Sequence, residues 1–190
     1  MIAQRLSGGS RRQTGAVEEV ISFVLRDTAK FDELFEAMLH EEAIVRMRAS
    51  EAVEKLSRNR PDLLTPHRAR LIDEVGEIDQ PEVRRHVAQM LSVLSLNPKE
   101  KSRATALLER YLHDKSVMVV TASLETLVDF SQKDRHLRKR VTPILERMIA
   151  RGTPAMKVRA KKLYDRLAKQ DTGKTATSLP KNRRVPRPKP

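Results

Sequence analysis

Two helical patterns alternate along the chain, and each returns after about three dozen residues. The first reads Leu34-Phe35-x-x-Met38, Leu71-Ile72-x-x-Val75, Leu107-Leu108-x-x-Tyr111 and Ile144-Leu145-x-x-Met148, with starts 37, 36 and 37 residues apart. An acid follows each doublet: Glu36, Asp73, Glu109 and Glu146. The second pattern interleaves with it as Val45, Ala49, Ala52, Leu56; Val83, Val87, Met90, Leu94; Val117, Thr121, Leu124, Val128; and Met156, Ala160, Leu163, Leu167. Its starts lie 38, 34 and 39 apart. Steps of three and four residues put apolar side chains on one face of a helix. A hairpin of two such helices cannot bury both faces by itself, so successive hairpins must stack. Strand signals are nearly absent: there is no Asn-Gly or Asp-Gly, and aromatic residues are few. The expectation is an all-α solenoid of about four hairpins, with "AVEEVISFVL" (16–25) as a lone helix capping the first.

Punctuation agrees with this division. Thr65-Pro66, Asn97-Pro98 and Thr153-Pro154 each place a capping side chain before a proline suited to a first helical turn. Ser131 with Asp134 has capping-box spacing. Gly152 is placed to end a helix in a left-handed conformation. Pro143 falls inside a helix and is expected to kink it.

The segments "DQPEVRRHVAQMLSVLS" and "EEAIVRMRASEAVEKLS" resemble the second helix of the HEAT repeat, with its acid-then-Val-Arg opening. "HLRKRVTPILERMI" is similar to a HEAT first helix, proline included. The resemblance spans about residues 28–168. It departs in the third repeat, where Met118 takes the place of Arg46 and Arg84, and in the fourth, where Val158-Arg159 falls two places late. It implies a right-handed α-solenoid whose second helices line a concave groove. It also implies that Glu42 with Arg46 and Asp79 with Arg84 form a ladder of polar contacts between repeats.

Charge divides the chain. The net charge is +13, so a large partner should be acidic or of mixed charge. Residues 1–15 carry Arg5, Arg11 and Arg12 and no acid, and residues 171–190 carry six basic residues against Asp171. Both ends are poor in apolar residues and are expected to be disordered basic tails around a repeat body over 16–170. The C-terminal tail offers Lys181, Arg183, Arg184, Arg187 and Lys189 as an electrostatic arm among alternating prolines. The absence of Cys excludes disulfides, thiolate nucleophiles and Cys-ligated metal, and it fits a reducing cytoplasm. No run has the ~18 apolar residues of a membrane span, and no signal-peptide core is present.

Enzyme signatures fail one by one. There is no phosphate-binding Gly loop, His-Glu-x-x-His helix or Gly-x-Ser-x-Gly elbow. A single His-Glu pair, His40-Glu41, cannot build the dinuclear iron site of HEAT-like hydroxylases, although His113 occupies the matching place two hairpins further on. HEAT-like DNA glycosylases need aromatic platforms, but Tyr111 and Tyr164 both fall in the apolar spacing and Trp is absent. The expected function is a non-catalytic scaffold without cofactor or metal. A protein partner would lie in the groove, whose off-stripe residues are Arg48, Glu51, Lys55, Arg85, Gln89, Ser123, Glu125, Lys157 and Lys161. The alternative is DNA or RNA held by its phosphates on the edge of the linkers between repeats. That edge carries Arg58, Arg60, Arg68 and Arg70; Lys99, Lys101 and Arg103; and Lys133, Arg135, Arg138, Lys139 and Arg140.

Overall fold

A computed structural model describes residues 1–8 and 15–175 of the protein. Among the described residues the regular elements are helices only, as the periodicity requires: α1 (Ile2–Leu6), α2 (Gly15–Arg26), α3 (Phe31–Ala37), α4 (Ala43–Asn59), α5 (Pro61–Leu64), α6 (Arg68–Asp73), α7 (Pro81–Val93), α8 (Pro98–Tyr111), α9 (Val117–Ser131), α10 (Arg135–Arg151) and α11 (Pro154–Thr175), with short 3₁₀ turns between some of them. Contacts divide the chain into a unit of residues 1–141 and a unit of residues 142–190.

In the first unit the second helices α4, α7 and α9 pack side by side, with α2 against α4. The first helices lie in another layer, where α6 packs on α8; α3 pairs with α4 and α8 with α9. Between the layers sit the repeated doublets Leu34-Phe35, Leu71-Ile72 and Leu107-Leu108, all buried. Burial of such side chains is worth roughly 1.5–3 kcal/mol apiece before ordering entropy is charged against it. The middle hairpin's first helix is broken: α5 and α6 are separated by a 3₁₀ turn over Thr65–His67. Thr65 therefore does not cap α6, and its hydroxyl donates to the Pro61 carbonyl instead (2.9 Å). Asn97 does cap α8, in a reciprocal box with Glu100. The expected Ser131–Asp134 box resolves differently. Ser131 ends α9, while Asp134 accepts the Leu137 N–H at 3.0 Å as α10 begins.

Burial corrects the repeat register in α9. Val117 is 48 % exposed and Met118 55 %, whereas Val119, Ser123, Thr126 and Leu127 are buried. These four match Val45, Ala49, Ala52 and Val53 of α4 and Val83, Val87, Met90 and Leu91 of α7, all buried. The second-helix starts are then Val45, Val83, Val119 and Met156, with intervals of 38, 36 and 37 in place of 38, 34 and 39. The slip arose because α9 is apolar on nearly every side and two of its core residues are hydroxylic. Their hydroxyls are satisfied inside the core: Ser123 donates to the Val119 carbonyl (2.8 Å) and Thr126 to the Ala88 carbonyl of α7 (2.7 Å).

The first residues of the chain also differ from expectation. The sequence places residues 1–15 in a disordered tail, but Ile2–Leu6 form α1, which packs on α2, α3 and α4 with Ile2 and Leu6 buried. Arg48, expected on the exposed groove, is 2 % exposed. Its guanidinium Nη1 donates to the carbonyls of Leu6 and Gly8, both at 2.6 Å, which lie at and just beyond the C-terminal end of α1. Those carbonyls have no helical partners of their own, so a buried cation is matched to them. The Ile2 N–H is held by Glu33 (2.6 Å). Two Ile/Leu side chains four residues apart and one long-range guanidinium are enough to dock a five-residue helix that could not stand alone.

In the second unit, Leu145 of α10 and Ala160, Leu163 and Leu167 of α11 are buried. Pro143 lies inside α10, as expected. Gly152 does not adopt a positive φ; a Cβ there would meet the Met148 carbonyl oxygen at 2.5 Å, so close backbone approach is what glycine permits. Helix α11 runs through Thr175, past the expected body boundary at 170. Lys181, Arg183, Arg184, Arg187 and Lys189 lie outside the described residues.

A buried histidine ties α4 to α7. His86 Nδ1 lies 2.9 Å from the Ser50 hydroxyl, which donates to the Met47 carbonyl (2.9 Å), and Arg85 donates to Nε2 at 2.6 Å. The arrangement requires a neutral ring that donates from Nδ1 and accepts at Nε2. Burial, and then the charges of Arg85, Arg58 and Lys55, push the His86 pKa down to about 3. Its unfolded value is ~6.5, so below that pH the unfolded chain takes up a proton that the folded chain refuses. Stability from this residue is complete above pH ~6.5 and is lost as pH falls toward 3, at about 1.4 kcal/mol per pH unit. Denaturant titrations at pH 7 and pH 5 should differ by about 2 kcal/mol from this source. In His86→Gln that difference should vanish.

Candidate interaction surfaces

With the register corrected, the outward rows of the second helices can be read across the layer. Met47, Arg85 and Thr121 share one level, Glu51, Gln89 and Glu125 the next, and Lys55, Val93 and Asp129 the third. All are half-exposed except Val93, which is exposed. Of the expected groove residues, Glu51, Lys55, Arg85, Gln89 and Glu125 are thus on this face. Arg48 and Ser123 are not: both are buried, Arg48 under α1 and Ser123 within the α9 core. Lys157 and Lys161 of α11 are exposed. Met47, Thr121, Val93 and Asp129 were missed because the two-residue slip in α9 displaced the face. Local ion pairs tie Lys55 to Glu51 (2.9 Å) and to Glu18 of α2 (2.6 Å), extending the face to α2.

At the start of each second helix a polar ladder crosses from repeat to repeat. Arg46 donates to the Gln80 side chain (3.0 Å) and to the carbonyls of His40 and Glu41. Gln80 in turn donates to the Ala43 carbonyl (2.9 Å). Arg84 bridges Asp79 of its own repeat (3.0 Å) and Asp114 of the next (2.9 Å). The Glu42 carboxylate is not the partner of the Arg46 guanidinium, which goes to Gln80 of the next repeat and to the His40 and Glu41 carbonyls. Burial raises the Asp114 carboxyl, but the Ser116 N–H and Arg84 outweigh it and hold the group below the usual carboxylate range. The ladder stops after Asp114 because Val120, buried, stands where Arg46 and Arg84 stand in the earlier repeats.

A second ladder runs along the first helices and explains the acid after each of the first three doublets. Glu36 receives Arg70, Asp73 receives Arg103 and Glu109 receives Arg140, each arginine coming from the following repeat. The hydrogen bond from Arg70 holds the Glu36 carboxyl below its ordinary range despite some desolvation.

These pairs redraw the expected anion-binding edge. Arg70, Arg103 and Arg140 are neutralised by the ladder, Arg58 by Glu54 (2.6 Å) and Arg60 by Asp62 (2.7 Å). Arg68 donates to the Ser95 carbonyl (3.0 Å) near Glu100, Lys101 to the Phe130 carbonyl (3.1 Å), and Arg138 to the Gln132 carbonyl (2.9 Å). Lys99, Lys133, Arg135 and Lys139 have no carboxylate partner among the described residues.

His40 accepts the Glu42 N–H (3.1 Å), which is a turn contact. Among the described residues no group of three His, Asp or Glu is placed to hold a metal ion. No described helix is long and apolar enough to cross a membrane.

Helical hairpins stacked in chain order, with ladders between neighbours, are what the sequence resemblance implied. The family described as a HEAT repeat domain matches residues 2–167. The chain belongs to the HEAT-repeat family. No individual curated protein matches it. The HEAT match begins at α1, so it covers the segment that composition had assigned to a tail.

The two HEAT ladders should differ in weight. Arg103 and Asp73 are each more than a third exposed, and such a pair contributes about 0–1 kcal/mol. Asp114 has a side chain only 6 % exposed, and removing its guanidinium strands a carboxylate at a cost of about 1–3 kcal/mol. In chemical denaturation Arg103→Ala should therefore be nearly silent and Arg84→Ala clearly destabilising. NMR titration of Arg84→Ala should show the Asp114 pKa rising.

Proposed function

We propose that this HEAT-repeat protein is a non-catalytic scaffold that binds a protein partner on the face of its second helices. The observation that carries this reading is the side-by-side packing of α4, α7 and α9, which aligns their outward rows. Three levels of matched positions form a surface of mixed chemistry. Met47 and Val93 supply apolar contact, Gln89 and Thr121 hydrogen bonding, and Glu51, Lys55 and Arg85 charge. Such a mixed surface suits a folded protein partner, because protein interfaces combine apolar contact with hydrogen bonds and charge. HEAT repeats generally mediate protein–protein interaction, and a rigid array presents residues from several repeats to one partner. We place the complex in the cytoplasm, in keeping with the Cys-free composition.

The linker edge gives nucleic acid less support as the main partner. Eight of the twelve cations expected there are engaged within the protein, which leaves Lys99, Lys133, Arg135 and Lys139.

The test is affinity capture with the full chain, with and without nuclease. A specific protein should be retained after nuclease treatment and moderate salt. It should be lost with Met47→Glu combined with Gln89→Arg and Val93→Glu, and kept with Lys30→Ala, which lies at the start of α3 in the first-helix layer. Capture that disappears with nuclease, or that ignores the triple substitution, overturns the reading.

A further inference from the structure

A second surface lies away from the second-helix face. Between α8 and the start of α10 runs a cleft of about 490 Å³, within the ~300–1,000 Å³ typical of ligand clefts. Its apolar lining comes from Leu96, Pro98, Ala106 and Leu137, and its cationic lining from Lys101 and Arg140, with His136 beside them. We propose that this cleft docks an acidic peptide segment of a partner protein, with one apolar anchor residue seated between α8 and α10.

Charge complementarity selects the occupant. The lining cations are fixed in place: Arg140 is paired with Glu109, and Lys101 is held by the Phe130 carbonyl with its ammonium 5.6 Å from the centre of the Phe130 ring. The lining acids are already committed. Glu109 serves Arg140, and Asp134 accepts the Leu137 N–H at the start of α10, which together with nearby Lys101 and His136 keeps its carboxyl below the usual range. The next residues along the chain from Pro98, His136 and Arg140 are Lys99, Arg135 and Lys139. No carboxylate of the described residues pairs with any of these three. Lys133 lines the adjoining groove with Lys101 and Phe130. An incoming row of carboxylates would meet this rim, while the apolar lining gives an anchor side chain area to bury.

The same lining argues against a phosphate backbone. Nucleic acid gains nothing from Leu96, Ala106 and Leu137. No Phe, Tyr or Trp lines the cleft to stack a base, and Phe130 beside it is covered by Lys101.

Fluorescence anisotropy on the full chain tests the proposal. The probes are a labelled Asp/Glu-rich peptide with one central leucine, the same peptide with glutamate in place of leucine, and a labelled DNA duplex, at about 50 and 150 mM salt. The leucine peptide should bind with a Kd in the micromolar range and at least ~5-fold more tightly than the leucine-free peptide. Ala106→Arg adds bulk to the cleft from an exposed position and keeps its positive charge; it should weaken the leucine peptide roughly tenfold or more. Lys99→Ala with Arg135→Ala and Lys139→Ala should do the same, whereas Arg26→Ala with Lys30→Ala and Lys115→Ala should change it less than ~3-fold. Circular dichroism checks that each variant remains folded. Several results overturn the proposal: unchanged binding to Ala106→Arg, equal affinity for the leucine-free peptide, duplex DNA that binds as tightly as the leucine peptide, or no binding up to about 100 µM. Capture through the second-helix face involves none of these residues, so either surface can fail without the other.

Discussion

A hairpin of two short helices has more apolar surface than its own two faces can hide, and this surplus governs the described architecture. Leu34-Phe35 of one hairpin, Leu71-Ile72 of the next and Leu107-Leu108 of the third are each buried completely or nearly so. None could reach that burial without neighbours. Stacking brings the acid after each doublet within reach of an arginine from the following repeat, and it aligns the outward rows of α4, α7 and α9. The first-helix ladder fixes relative position more than it adds stability, because its pairs are largely solvated. The apolar doublets supply the driving force and the charged residues its register.

Much of this was legible in the sequence. The doublets could be read because a first helix is strongly amphipathic and leaves one solution for its buried face. The second-helix face of α4 and α7 could be read for the same reason. Helix α9 could not. "VMVVTASLETLVDF" offers apolar residues in every direction, so a shift of two positions looks equally good until the burial of Ser123 and Thr126 decides it. Hydroxyls that donate to carbonyls inside the core behave as small core residues, and a reading based on hydrophobicity scores them as surface. Arg48 was misread by the same logic. A charged residue off the apolar stripe normally points to water, and only the docking of α1, forty residues away in sequence, gives it buried acceptors.

Charge was misread for a different reason. Summing basic and acidic residues segment by segment treats each loop as isolated, yet the relevant partners stand about thirty to thirty-four residues apart. Arg70, Arg103 and Arg140 looked like a free basic edge because Glu36, Asp73 and Glu109 belong to preceding repeats. The acid after each doublet was visible in the sequence, and so were the arginines; the offset that joins them is a property of stacking. The positive charge left after this pairing is concentrated where α8 and α10 begin, beside a cleft with apolar walls.

The short helix α1 has a consequence for assembly. An array whose units adhere through identical greasy flanks has no intrinsic reason to stop growing, and any uncovered flank is an invitation for another molecule to join head to tail. With α2 laid along α4, and α1 pinned by Ile2, Leu6 and the Arg48 guanidinium, that flank of the first hairpin carries a lid with a different, one-off chemistry. That flank is covered within the chain itself, by side chains the repeat pattern does not contain.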